Sequence, residues 1–273
     1  MAAISGADRW LVALDIDGTL MRQDGAVSEA VSAQVRQVAS LGNEVTLATG
    51  RSVSGTLPVL DRFGLTPHYV VCSNGAITLR REASAPTGYV RHYVETFDPT
   101  SVLTTIRSHL GGAHFAVEDE TGFFRYTGTF PELTIGLNSQ RVEFDDLLRG
   151  HATRVVVISP DHDTEEFLEV VERMGLHRVS YAIGWTAWLD IASDGVNKAA
   201  ALERVRSTLD IPRDRVLAIG DGRNDVDMLE WAAEFGRGVA MGHAPFDVIA
   251  AGNETTASVA DDGVARTLES LFG

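Results

Sequence analysis

The chain has 273 residues, 44% hydrophobic and 22% charged, and its 23 basic and 38 acidic side chains give a formal charge of -15. These proportions suit one large or two modest folded domains and exclude an intrinsically disordered chain. The acidic balance disfavours nucleic acid and anionic membrane as partners, and a single cysteine, Cys72, excludes an internal disulfide.

Taken in chain order, the first third alternates strand and helix signals. Residues 10–14 are a short apolar run that reads as a buried strand, and it leads into Asp15-Ile16-Asp17-Gly18-Thr19-Leu20. A helix is expected over 28–40, with Val31, Val35 and Val38 at helical spacing and Ser28 as its N-cap. A second strand over 44–48 ends at Thr49-Gly50-Arg51. After another helix, a third strand over 68–72 ends at Ser73-Asn74-Gly75-Ala76. This rhythm predicts a parallel sheet with right-handed crossovers.

From about residue 82 to residue 190 strands dominate and come in adjacent pairs. One strand is expected over 90–97. A hairpin is expected from 113–118 and 123–126 around Thr121-Gly122, then a strand over 154–158 and a helix over 164–174. A second hairpin, 178–183 with 186–191, turns at Gly184-Trp185. That pattern describes an α+β domain inserted into an α/β one. The α/β rhythm resumes with a helix over 197–208, a strand over 215–219 ending at Gly220-Asp221, a helix over 225–234 and a strand over 238–241. The expected division is a Rossmann-like core of residues 1–82 and 191–273 and an inserted domain of residues 83–190, with hinges near 82–84 and 190–195.

Four polar clusters fall at strand ends or at the start of a helix: Asp15 with Asp17, Thr49, Lys198, and Asp221 with Asn224 and Asp225. In open α/β sheets ligands bind outside the carboxyl ends of the strands, so these distant residues can converge on one edge. Two carboxylates placed together are costly without a compensating cation or shared proton. Several carboxylates will hold a hard divalent cation, and Mg²⁺ recruits phosphate oxygens as further ligands. One carboxylate can attack phosphorus and form an acyl-phosphate. Another can protonate the leaving oxygen and then activate water. A lysine and a threonine hydroxyl stabilise the phosphoryl oxygens as charge spreads. This inventory suits phosphoryl transfer. Taken singly, the clusters have plainer readings: a solvated turn, a helix N-cap, a surface lysine and an acidic helix start.

Other features carry less. Cys72 lies in an apolar run and reads as a buried small hydrophobe rather than a nucleophile. His109, His114, His151 and His162 are scattered without metal-site spacing. The Gly220 and Gly236 clusters complete neither a dinucleotide fingerprint nor a P-loop. Trp185 and Trp188 sit in the second hairpin, where they either contact substrate or pack its core. No apolar run approaches the ~20 residues of a membrane helix and no signal peptide is evident, so a cytoplasmic location is expected.

Asp15-Ile16-Asp17-Gly18-Thr19 resembles the first motif of the haloacid dehalogenase superfamily of phosphatases. Thr49-Gly50-Arg51 resembles the second, Lys198 the third, and Gly220-Asp221-Gly222-Arg223-Asn224-Asp225 the fourth, in matching order and spacing. Ser73-Asn74-Gly75-Ala76 and Gly195-Val196-Asn197-Lys198 are similar to the Cof-type sugar-phosphatase branch, subclass IIB, in which an α+β cap is inserted between the second and third motifs.

The resemblance covers essentially the whole chain and implies a division of labour. Asp15 is then the nucleophile and Asp17 the general acid and later base. Thr49 bonds the transferring phosphoryl group, with Gly50, Arg51, Asn74 and Asn224 lining the phosphate or substrate side. Lys198 neutralises Asp15 and the phosphate. Mg²⁺ is held by the Asp15 carboxylate, the Asp17 backbone carbonyl and Asp221, with Asp225 in support. The implied activity is Mg²⁺-dependent hydrolysis of a small phosphorylated metabolite, with a sugar phosphate expected. A phosphomutase and a non-catalytic phosphosugar-binding module are the alternatives. One position departs from the family: His243 follows Met241-Gly242 where Asn is common.

Overall fold

The computed structural model of the chain describes residues 9–130, 138–174, 179–183 and 187–273. At its centre is a five-stranded sheet of β1 (Leu11–Leu14), β2 (Glu44–Leu47), β12 (Val216–Gly220), β13 (Arg237–Ala240) and β14 (Glu254–Thr255), in the order β14-β13-β12-β1-β2 and parallel throughout. The central strands β1 and β12 are near-continuous apolar runs because both faces are covered. Val12 and Leu14 point to Val31, Val35 and Val38 of α1 (Glu29–Ser40), to Leu60 and Phe63 of α2 (Val53–Phe63), and to Leu268 of α9 (Gly263–Phe272). Leu11 and Ala13 alternate to the other face, against Leu202 and Val205 of α6 (Lys198–Thr208) and Met228 of α7 (Val226–Ala233). The Ser28 hydroxyl caps α1, accepting from the Val31 N–H at 3.1 Å, as its sequence predicts.

The third strand differs from expectation. β3 (Tyr69–Cys72) meets the parallel sheet at one bridge, Ala48 to Val71, and then pairs antiparallel with β4 (Ile77–Arg81), which pairs with β5 (Tyr89–Val94). The cause is the turn after β3. Ser73, Asn74 and Gly75 take φ of 49°, 52° and 100°, and this left-handed run reverses the chain into β4.

The inserted region builds a six-stranded sheet, β10-β11-β9-β6-β7-β8. Its strands are β6 (His114–Glu118), β7 (Phe124–Tyr126), β8 (Ser139–Arg141), β9 (Arg154–Ile158), β10 (Val179–Ile183) and β11 (Trp188–Ser193). Both expected strand pairs, β6–β7 and β10–β11, are antiparallel. The second turn, with Trp185, lies outside the described residues. One face of this sheet packs on α3 (Thr100–His109) and α5 (Thr164–Met174) through Leu103, Ile106, Phe167 and Val171. The other carries Ala116, Phe124, Val156 and, half-buried, Tyr126, Ile158 and Trp188. Along β11, Trp188 and Asp190 share this second face, and the Asp190 carboxylate bonds Asn74 of the core. This face is therefore turned towards the core. Two further α-helices among the described residues are α4 (Phe144–Leu147) and α8 (Phe246–Ala251). The expected boundary at residue 83 falls in the turn between β4 and β5, while the first link into the six-stranded region is the Phe97–Ala152 bridge.

Candidate active site

β1 and β12 run side by side with Leu14 opposite Ile219, so the residues after them emerge together at one sheet edge. The Asp15 N–H donates to the Ile219 carbonyl at 3.0 Å, extending the ladder up to the first carboxylate. The approach of this turn to Asp221 requires glycine. Gly18 has φ +84°, and a Cβ there would lie 2.1 Å from Asp221 Oδ2. Beside it the Thr19 hydroxyl donates to Asp221 Oδ1 at 2.7 Å.

Lys198 is the first residue of α6, whose N-cap Asn197 accepts from the Ala200 N–H at 2.8 Å. The lysine is fully buried, and its Nζ donates to Asp15 Oδ1 at 2.7 Å and to Asp225 Oδ1 at 2.6 Å. The second Asp225 oxygen accepts from the backbone N–H groups of Asp221, at 3.0 Å, and Gly222, at 2.9 Å. Asp225 thus holds both the lysine and the loop that carries Asp221. Asp15, Asp221 and Asp225 each bring one carboxylate oxygen within 4.8 Å of the others, and all three are buried.

The electrostatics follow from three acids around one base. Burial, reinforced by Asp225, Asp221 and Asp17, pushes the Asp15 carboxyl well above its usual range despite Lys198. Burial and the nearby Asp225 raise Asp221 to about 7. Burial alone would disfavour the Lys198 charge, but Asp15 and Asp225 overcome it, and the ammonium is held above its ordinary value. The cluster sets three buried carboxyl groups around one ammonium, an oxygen donor set that suits a hard divalent cation.

The phosphate-side residues form a second group. Thr49 follows β2, and its Oγ1 accepts from the Arg51 N–H at 3.1 Å, which leaves the hydroxyl proton to donate elsewhere. The Asn74 N–H donates to the Thr49 carbonyl at 2.9 Å. A Cβ on Gly50 would sit 3.1 Å from Asn74 Oδ1. Asn224 Nδ2 donates to that same oxygen at 3.0 Å. Thr49, Gly50, Asn74 and Asn224 therefore meet, although they come from three separate stretches of sequence.

Asp17 stands apart from the buried carboxylates. Its side chain is 59% exposed and is held by Arg51, with Nε to Oδ2 at 2.7 Å and Nη2 to Oδ1 at 2.5 Å. His243, left open by the sequence, lies with Nε2 3.7 Å from Asp221 Oδ2, and partial burial lowers its pKa. Cys72 is in the core, where burial pushes its thiol to about 12. Trp188 lies on the core-facing side of the inserted sheet.

Sequence reasoning missed Thr19, Glu118, Arg154 and Asp190. Arg154 Nε and Nη2 grip the Asp190 carboxylate at 2.6 and 2.7 Å, and Ser73 Oγ donates to Glu118 Oε2 at 3.1 Å. A local signal existed only for Asp190, a lone charge between Leu189 and Ile191 inside an apolar strand; Glu118 ends β6 ahead of Asp119 and Glu120, and Arg154 opens β9.

A parallel α/β core that gathers three carboxylates and a buried lysine at its strand ends, beneath an inserted sheet, defines a capped hydrolase of the phosphoryl-transfer type. The description "haloacid dehalogenase-like hydrolase" matches residues 12–268, and the chain belongs to that family, with the fold of its subclass IIB, Cof-type branch. It is 28% identical to the 5-amino-6-(5-phospho-D-ribitylamino)uracil phosphatase YitU of Bacillus subtilis, over 96% of this chain and 97% of that protein. It is 29% identical to an HMP-PP phosphatase of Yersinia pestis, over 86% of this chain and 84% of the other. The solved subclass IIB sugar phosphatase BT4131 superposes with a TM-score of 0.79 at 20% identity, covering 96% of this chain and 98% of that one. The chain is a phosphoric monoester hydrolase.

Proposed function

We propose that the protein hydrolyses a small phosphorylated metabolite, with a sugar or polyol phosphate expected, through an aspartyl-phosphate on Asp15. The observation that carries this reading is the Asp15–Lys198–Asp225 chain: a buried carboxylate beside a fixed ammonium at the edge of the sheet. An Asp15 oxygen attacks phosphorus, and the P–O bond to the leaving group breaks. Asp17 gives its proton to the departing oxygen, then takes one from the water that attacks the acyl-phosphate, releasing inorganic phosphate and restoring Asp15. Lys198 and the Thr49 hydroxyl stabilise the phosphoryl oxygens. Gly50, Asn74 and Asn224 shape the phosphate side.

Arg51 ties Asp17 away from the cluster, so proton transfer requires the pair to part. The incoming phosphate is the competing anion that draws the guanidinium off. Mg²⁺ fits the donor set, with Asp15, Asp221 and the Asp17 carbonyl as the residues that would hold it. Asp225, with both oxygens already engaged, would support them. When bound, the cation supplies charge neutralisation of the phosphoryl oxygens.

The inserted sheet acts in this reading as a cap that excludes water and selects the leaving group. The strand pairing supports a cap of about residues 95–193 rather than 83–190. A cytoplasmic location belongs to the same reading. The relatives' pyrimidine and sugar substrates set the screening panel. Purified protein with Mg²⁺ should release phosphate from at least one member of a panel of sugar, polyol and pyrimidine phosphates. Inactivity on the panel and on a generic aryl phosphate would remove the proposal.

A further inference from the structure

The reversal after β3 is strained and is held from both sides. Ser73 and Asn74 occupy the left-handed region, which is costly for non-glycine residues and persists only where the surroundings impose it. From the core, the Ser73 N–H donates to the Arg51 carbonyl at 2.8 Å and the Asn74 N–H to the Thr49 carbonyl at 2.9 Å, so this turn and the Thr49–Arg51 turn are one unit. Behind it, Gly75 admits no side chain, because a Cβ would lie 2.2 Å from the Asn197 carbonyl, next to Lys198.

From the cap, both side chains of the strained pair are captured by buried acids. Ser73 Oγ donates to Glu118 at 3.1 Å, and Asn74 Nδ2 donates to Asp190 at 3.1 Å. Asp190 accepts only, so it fixes which way the Asn74 amide faces. With Nδ2 on Asp190, Oδ1 is presented to Asn224 and held against Gly50. Asp190 is itself 9% exposed and gripped by Arg154, which is 4% exposed, so its position is set by the cap sheet and not by solvent.

We propose that Asp190 is a positioning residue: through Asn74 it makes the geometry of the phosphate side, Gly50 and Asn224, conditional on the seated cap. Glu118, through Ser73, is the second strut of the same joint. When the cap lifts, the Asn74 amide loses its orienting acceptor and Asn224 loses its partner. The inference rests on the phosphatase reading, and it adds that cap seating assembles the site as well as covering it.

The test compares wild type with Asp190→Ala, Asn74→Ala, the double variant, and the pair Arg154→Met with Asp190→Asn. That pair removes both buried charges but keeps an acceptor oxygen for Asn74. Acetyl phosphate is the probe because its leaving group is too small to be gripped by the cap. Asp190→Ala should lower kcat on acetyl phosphate by about tenfold or more with KM little changed, the loss of one hydrogen bond to a charged group. The double variant should be no worse than either single one, and the Arg154→Met/Asp190→Asn pair should recover most of the loss.

A second readout needs no turnover: amide hydrogen exchange in residues 73–76 and 223–225 should quicken in Asp190→Ala. If Asp190→Ala fails to fold, Asn74→Ala carries the same two readouts from the other end of the bond. Unchanged kcat on acetyl phosphate, or unchanged exchange in both segments, overturns the inference. A wild type inactive on every phosphate but showing the quickened exchange in the variant would sink the phosphatase reading and leave the joint standing.

Discussion

Replacing Lys198 by Met is the sharpest perturbation of the buried cluster. The side chain is fully buried and its length is conserved, so packing survives while the ammonium and its contacts to Asp15 at 2.7 Å and Asp225 at 2.6 Å are lost. Removing one partner of a buried ion pair costs roughly 3–5 kcal/mol, because the other charges stay buried without it. In chelator, the urea midpoint followed by circular dichroism should therefore fall by an amount corresponding to that range. A divalent cation should restore part of the stability, since it too neutralises Asp15 and Asp221. It should not restore the rate. Losing a fixed donor to the phosphoryl oxygens costs about 2.7–4 kcal/mol of transition-state stabilisation, or roughly 10²–10³ in kcat on an aryl phosphate. The pKa of Lys198 is raised in the folded state, so its contribution is complete below the ordinary lysine value and is lost only as pH rises past the folded one. Lys198 also holds down the Asp15 and Asp221 carboxyls, so without it both keep their protons to higher pH in the folded state, and the stability deficit should grow as pH rises from about 6 towards about 9. A variant with the wild-type urea midpoint in chelator, or with kcat within about threefold of wild type, would refute the reasoning.

Two further outcomes follow from the same chemistry. Burial and Asp225 raise Asp221 from 3.8 to about 7, so the cation-free folded state keeps a proton that the unfolded chain releases. Stability in EDTA should be greatest below about pH 4 for this group and fall as pH rises to about 7. That component should be missing in Asp221→Asn and suppressed by excess Mg²⁺ in wild type, and identical pH slopes for the two proteins in EDTA would contradict it. Burial pushes the Cys72 thiol to about 12, so the native protein at about pH 8 should resist an aromatic disulfide reagent until urea unfolds it. Rapid labelling of the native state would show that β3 is not buried as described.

How much of this was legible in the chain depended on whether the signal was local. Helix α1 is written in Ser28 and the spacing of Val31, Val35 and Val38, and the strand ends at Asp15 and Asp221 are marked by apolar runs stopping at polar turns. Helix α3 was missed because Thr100, Thr104 and Thr105 weaken its helical signature, and only Val102, Leu103 and Ile106 are buried. The reversal at Ser73–Gly75 was missed because a left-handed serine and asparagine are chosen by tertiary contacts with Thr49, Arg51 and the cap, not by propensity. Asp17 was expected beside the metal-binding acids, and its side chain is instead bonded to Arg51, whose position depends on the turn after β2. The cap charges Glu118 and Arg154 face each other only in the register of β6 against β9, which no spacing along the chain reveals.

The central claim is that Asp15 takes the phosphoryl group and that Asp17 moves the protons. Acid-quenched mass spectrometry of the protein mixed with an aryl phosphate and Mg²⁺ tests it most directly. In Asp17→Asn, an activated leaving group should still depart while hydrolysis of the acyl-phosphate stalls, so a phosphoryl group should accumulate on the peptide that contains Asp15. Asp15→Asn should stay folded and unlabelled. A phosphorylated Asp15→Asn, or a label that maps to any other peptide, would contradict the account.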